Sequence, residues 1–268
     1  MKTPIETVRT ETFTMDYFRF GQGENVFVIL PGLSVDNVMK YAGSVAKSYS
    51  LLSKDYTIYV FDRRKELPEP YSVYDMARDT AAALRALGLS RVCLFGASQG
   101  GMIAMTIAIE APELVSKLVV GSTSARVTGE TYEAIFRWIQ LAKDGNAKDL
   151  YLAFGEALYP ERFYQQIRGV LTDSAKGVTE EDLARFVILA EGTAGFNVLD
   201  RVHEIACPVL VIGSADDHVL GGAASEQIAE QLKDRPDCEL YLYNGYGHAA
   251  YDLAPDYRKR VLAFCKAH

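Results

Sequence analysis

Two kinds of hydrophobic spacing alternate along this chain. Asn25–Leu30 (NVFVIL) is an unbroken apolar run that stops at Pro31-Gly32, the pattern of a strand buried on both faces. Residues 56–61 (YTIYVF) read as the next buried strand, and residues 91–95 (RVCLF), 117–120, 208–212 (PVLVI) and Cys238–Tyr243 (CELYLY) read as further strands. Residues 10–20 alternate instead, with Phe13, Met15 and Phe20 among the apolar positions. They predict an antiparallel edge strand, followed by a turn at Gly21-Gln22-Gly23-Glu24.

Between these runs lie helical stripes. Residues 35–52 place Val38, Tyr41, Ala42, Val45 and Tyr49 on one side. Residues 72–87 predict a helix with Ser72 as its N-cap, Asp75 three residues on, and Gly88 after its end. Gln99–Glu110 is rich in Ala, Ile and Met and stops before Pro112. Further helices are expected over 226–232 and 255–264. Strand and helix alternate from Asn25 to Gly121, which specifies an α/β protein: a parallel sheet with helices on both faces.

The rhythm breaks at residue 123. No strand-like run appears until about residue 202, only stripes such as Ile135, Trp138, Ile139, Ala142 and Leu183, Phe186, Val187, Ala190. We read 1–122 and 203–268 as one core domain and 123–202 as a helical insertion. A chain of 268 residues has room for both. The insertion also carries aromatics, among them Tyr132, Phe136, Tyr151, Phe154, Tyr159, Phe163, Tyr164 and Phe196. Most are expected to pack the inserted helices, and a few to face a substrate.

A formal charge of −7 argues against nucleic acid and anionic membranes as partners. The densest basic cluster, Arg63-Arg64-Lys65, reads as a solvated loop at the end of a strand. No run approaches the ~18 apolar residues of a membrane span, and no apolar stretch follows Lys2, so no secretory signal is expected. Cys93, Cys207, Cys238 and Cys265 contain no CxxC pair and read as free thiols, buried in a reducing cytoplasm. The four histidines have no metal-ligand spacing, so no metal is expected.

One cluster carries chemistry. Gly96-Ala97-Ser98-Gln99-Gly100 fits G-x-S-x-G, a pattern that chance alone supplies in about one of ten chains of this length. Its setting raises its weight: a strand leads into it and a helix leaves it. Such a turn exposes the serine and aims a helix N-terminus at it, and the glycines remove side chains that would clash. A serine hydroxyl needs a base. His248, in Tyr246-Gly247-His248-Ala249-Ala250, follows a strand and comes after the serine in the chain. His203, His218 and His268 lack that setting and read as solvated. An imidazole base needs a carboxylate to hold it, and Asp216-Asp217 follows the strand 208–212 at the same sheet edge. The order Ser98, Asp217 or Asp216, His248 is that of a nucleophile-elbow hydrolase. Two backbone donors are needed for the oxyanion. Gln99, after the nucleophile, is one, and Leu33, in the loop after NVFVIL, is the other.

These stretches resemble the α/β-hydrolase superfamily, in its cap-bearing serine esterase, lipase and C–C hydrolase-like branch. The resemblance rests on LPGLS (30–34), LFGASQGG (94–101), VLVIGSADDHVLG (209–221) and GYGHAAYD (245–252), in the family's order. It implies a mostly parallel sheet of about eight strands and a helical cap after the sixth. It also implies acyl-enzyme chemistry without a cofactor. His218-Val219-Leu220-Gly221 resembles the stretch after the family's acid, which favours Asp217 over Asp216. The chain departs from many relatives in having Pro31-Gly32 where they have His-Gly. It also lacks the Gly-rich loop of proline iminopeptidases. A serine at the elbow disfavours the haloalkane dehalogenases and epoxide hydrolases, which use an aspartate.

The expected activity is hydrolysis of small or medium acyl esters, by a monomer or homodimer acting on small molecules. Thioester and C–C bond cleavage use the same residues and stay open. So does a ligand receptor that kept the fold without turnover.

Overall fold

The computed structural model describes residues 3–268. Among the described residues, eight strands form one sheet in the order β1-β2-β4-β3-β5-β6-β7-β8. They are β1 (Ile5–Arg9), β2 (Thr14–Phe20), β3 (Asn25–Leu30), β4 (Tyr56–Arg64), β5 (Val92–Ala97), β6 (Val115–Gly121), β7 (Val209–Ser214) and β8 (Cys238–Tyr243). β2 runs antiparallel to β1 and β4, and the pairs from β4 to β8 are parallel. The helices are α1 (Ala42–Ser48), α2 (Val73–Ala86), α3 (Gln99–Glu110), α4 (Gly129–Lys143), α5 (Ala147–Leu158), α6 (Glu161–Ser174) and α7 (Glu180–Glu191). α8 (Ala224–Glu230), α9 (Ala250–Leu253) and α10 (Tyr257–Ala267) complete the set.

The apolar runs are explained by the two faces of the sheet. In β3, Val28 and Leu30 join one core with Leu94, Met76 and Ile103. Phe27 and Ile29 join the other with Phe95, Tyr257 and Phe264. A period of two puts alternate side chains on opposite faces, so a strand covered on both sides must be apolar throughout. In α3 every residue but Glu110 is buried, which accounts for its all-round apolar sequence. Cys93 and Cys265 bring their sulfurs to 2.8 Å in the second core, while Cys207 and Cys238 are half-buried; all four are free thiols.

Three elements differ from expectation. Residues 10–20 are not one strand: Thr10 bonds Phe13 through backbone and hydroxyl, making a turn between β1 and β2. β1 escapes a hydrophobic reading because Val8 is its one buried residue. Residues 35–52 split into short 3-10 turns around α1, because the Asn37 side chain accepts from Met39 and starts the first of them at Val38. β4 continues through Asp62, Arg63 and Arg64, paired to β2 at Met15. The basic cluster is therefore not a solvated loop. Arg63 is 3% exposed, Arg64 is half-buried 3.5 Å from Asp79, and Lys65 alone is exposed.

The parallel strands end at one edge, with Leu30 beside Gly96 and Gly121 beside Ile212. From β3 the chain turns outward to β4, then returns to β5 on the other side. Loops diverge at such a reversal and leave a crevice. Between β6 and β7 lie the helices α4 to α7. The two chain ends of this segment meet in an Arg126–Asn197 bridge, with Val127 N–H donating to Phe196 O and Val198 N–H to Ala125 O, each at 2.8 Å. Among the described residues no helix is long and apolar enough to cross a membrane.

Candidate active site

Ser98 occupies the turn between β5 and α3 with φ 52° and ψ −123°, a region that costs a non-glycine residue about 1–3 kcal/mol. The surroundings hold it there. Ser98 N–H donates to Gly121 O at 2.9 Å, and its carbonyl accepts from Gly101 N–H at 2.8 Å and from the Thr123 hydroxyl at 2.7 Å. The glycines make the turn possible. A Cβ on Gly96 would collide with the Gly100 carbonyl, and one on Gly100 with the carbonyl oxygens of Leu30 and Pro31. The second contact matters for the site, because it lets α3 abut the loop that carries Leu33. Gly100→Ala should therefore drive these two segments apart, lowering stability by about 1–3 kcal/mol and reducing turnover. Thermal melting and kcat measured on the same preparation check this.

His248 is 2% exposed. Its Nδ1 lies 2.8 Å from Oδ2 of Asp217. The other oxygen of Asp217 accepts from the amides of Val219 at 2.8 Å and Leu220 at 3.1 Å. Burial alone would raise the Asp217 carboxyl. The adjacent imidazole and these amides outweigh burial and hold it below the usual carboxylate range. Asp216 does something else. It accepts from the Ser214 hydroxyl at 2.7 Å and from the amides of Gly245 at 3.1 Å and Gly247 at 3.2 Å. It thereby fastens the loop that delivers His248. The two adjacent carboxylates thus hold the ring and the ring's loop respectively.

Ser98, His248, Leu33 and Gln99 line one cavity. Its volume is about 20 Å³, little more than one water-sized group requires. The remaining walls are mostly apolar: Met102, Val219, Leu220 and Tyr251 from the core, and Ile135, Trp138, Phe154, Leu158 and Thr193 from the inserted segment. Two of the aromatics singled out in the insertion therefore face the serine, Trp138 and Phe154, with ring centres 4.4 Å apart. Phe186 and Phe196 are buried as packing, and Phe136 is 54% exposed. His203, His218 and His268 are exposed, and none of them lines the cavity.

Three contributors escaped sequence reasoning. Arg63 Nη2 donates to Pro31 O at 2.8 Å and to Gln99 Oε1 at 3.1 Å. Asp62 binds Arg185 of α7 at 2.9 Å. Asp36 accepts from the Tyr151 hydroxyl of α5 at 2.6 Å. The Asp62 pair ties α7 to β4, and the Asp36 bond ties α5 to the loop after β3. A charged pair closing an apolar strand ordinarily marks the strand's emergence into water, so Asp62 and Arg63 gave no sign of their burial. No local pattern marks Asp36.

Comparison with known proteins agrees with this fold. A family model described as the alpha/beta hydrolase family matches residues 27–263. A protein of Rhizobium rhizogenes named carbamate hydrolase RutD is 26% identical over 231 residues, covering 83% of this chain and 87% of its own. A Haemophilus influenzae protein named esterase/lipase is 28% identical over 243 residues, covering 88% and 81%. Among solved structures, the α/β hydrolase MGS-M2 from a Medee basin deep-sea metagenome library superposes with a TM-score of 0.84. It does so at 20% identity, over 97% of each chain. The family match spans most of the sequence and includes Ser98, Asp217 and His248, so the chain belongs to the alpha/beta hydrolase family.

Proposed function

We propose that this hydrolase cleaves short-acyl carboxylic esters through an acyl-enzyme on Ser98. The observation that carries the reading is the meeting of a left-handed Ser98 and a buried, Asp217-held His248 in one small apolar cavity. With Nδ1–H donated to Asp217, Nε2 is the nitrogen left to act as base. It takes the Ser98 proton as Oγ attacks the ester carbonyl, and returns it to the departing alkoxide. The N–H groups of Leu33 and Gln99 receive the oxyanion, helped by the positive end of α3. Water, deprotonated by His248, then releases the acid.

The inserted helices act as a cap in this scheme. Ile135, Trp138, Phe154 and Leu158 close the acyl side, and the space they leave suits a short chain. Across p-nitrophenyl esters from acetate to decanoate, kcat/KM should peak at acetate to butyrate. Trp138→Ala should move the optimum to longer chains. A wild-type optimum at octanoate or beyond would overturn the short-acyl assignment.

A carbamate is the second reading, favoured by the relatives named carbamate hydrolase. It presents the same carbonyl, and a carbamoyl group is as small as an acetyl group. A p-nitrophenyl carbamate in the same panel separates the two.

A further inference from the structure

Arg63 is buried, yet its partners are not carboxylates. Its sequence neighbour Asp62 is occupied by Arg185 at 2.9 Å and by the Asn37 side chain at 2.6 Å. Arg63 instead donates to the Pro31 carbonyl and the Gln99 side chain, and its Nε has no partner. A buried guanidinium with an unsatisfied nitrogen costs stability, and an apolar replacement at such a position is often neutral or better. Packing alone does not account for an arginine here.

What it holds is specific. Pro31 lies two residues before Leu33, and Gln99 follows Ser98. The same Gln99 amide donates through Nε2 to Leu189 O of α7 at 2.7 Å. One continuous chain of hydrogen bonds therefore runs from the Leu33 loop, through Arg63 and Gln99, to the inserted helices.

We propose that Arg63 is a positioning residue for the oxyanion site. Its forked guanidinium sets the Pro31–Leu33 loop and Gln99 relative to each other, so that two backbone N–H groups converge on one point. Gln99 links that setting to the position of α7. The inference rests on the reading of Leu33 and Gln99 as the oxyanion donors. Converging donors stabilise the tetrahedral state more than the bound ester, which the apolar walls hold. Loosening them should therefore lower kcat and leave KM nearly unchanged. Lysine keeps the charge but cannot reproduce the planar fork, so it should restore little.

The test uses wild type, Arg63→Met, Arg63→Lys and Gln99→Met. Each is measured for kcat and KM on p-nitrophenyl acetate, thermal melting, and inhibition by 1,1,1-trifluoroacetone, which forms a tetrahedral adduct with a nucleophilic serine. Arg63→Met should lose about 10- to 100-fold in kcat, with KM little changed. Its affinity for the ketone should fall by the same factor. A merely structural role would lower the melting point without that proportionality. A folded Arg63→Met with wild-type kcat and wild-type ketone affinity overturns the proposal. Should Arg63→Met fail to fold, Gln99→Met decides: it cuts the same chain of bonds while keeping the backbone donor. Wild-type kinetics in that variant overturn the proposal equally. If the wild-type protein forms no ketone adduct and Ser98→Ala leaves ester turnover unchanged, the serine-hydrolase reading itself has failed, and the brace fails with its premise. Normal wild-type chemistry with indifferent variants sinks the brace alone.

Discussion

Ser98→Ala should remain folded and lose about 10⁶-fold in kcat on p-nitrophenyl acetate. The fold should tolerate the change. Ser98 sits at the N-cap position of α3 but makes no side-chain capping bond, so the usual loss of about 1 kcal/mol for removing a cap does not apply. Alanine meets the left-handed φ no worse than serine, since both carry a Cβ. The hydroxyl is thus free for chemistry, and its removal tests chemistry alone. Wild-type and mutant rates, with melting curves for both, are the measurement. Equal rates would show that the nucleophile lies elsewhere.

Asp217→Asn should cost about 10⁴-fold in kcat, and Asp216→Asn far less. Asparagine at 217 can turn its NH₂ toward Nδ1, which favours the tautomer with the proton on Nε2 and removes the base. Asparagine at 216 keeps one acceptor for the amides of Gly245 and Gly247 and loosens only the loop. A reversal of the two effects would exchange their assigned roles. Acid should not mimic Asp217→Asn under mild conditions. A carboxyl depressed in the folded state contributes stability above its unfolded value, near 3.9. It loses that contribution as pH falls through the still lower folded value. Wild type should therefore keep the Asp217 contribution at pH 5 and lose it only as pH falls below about 4, which melting curves of wild type and Asp217→Asn at pH 5 and at pH 3 check.

How far the sequence could be read depended on whether a signal was local. NVFVIL, PVLVI and Gln99–Glu110 announced themselves because each is buried nearly throughout, and burial on all sides leaves an apolar run. Ser72 and Asp75 did so because a capping box lies within four residues, and the structure contains it. β1 was silent, since an edge strand with one buried side chain needs no pattern. Ser98, Asp217 and His248 could be named from their flanking strands and order, and they occupy one cavity wall or its support. Arg63 could not be named. A charged residue after an apolar run usually means the chain has reached water, whereas here β4 stays paired and carries the charge beneath the Leu33 loop. Its partners lie 32 and 36 residues away in the chain, beyond any window of spacing.

The narrow stem at Arg126 and Asn197 has a bearing on inheritance. Seen from the core, the whole inserted segment is a loop whose ends are already joined. The entropy of closing such a loop grows only with the logarithm of its length. Segments of other sizes and shapes can therefore be hung on the same two residues at little cost to the sheet beneath. Ser98, Asp217 and His248 all reside outside that stem, while Trp138 and Phe154 reside inside it. On the proposed reading, reactivity and selectivity are written on separate stretches of the chain, and a lineage can redraft one while copying the other unchanged.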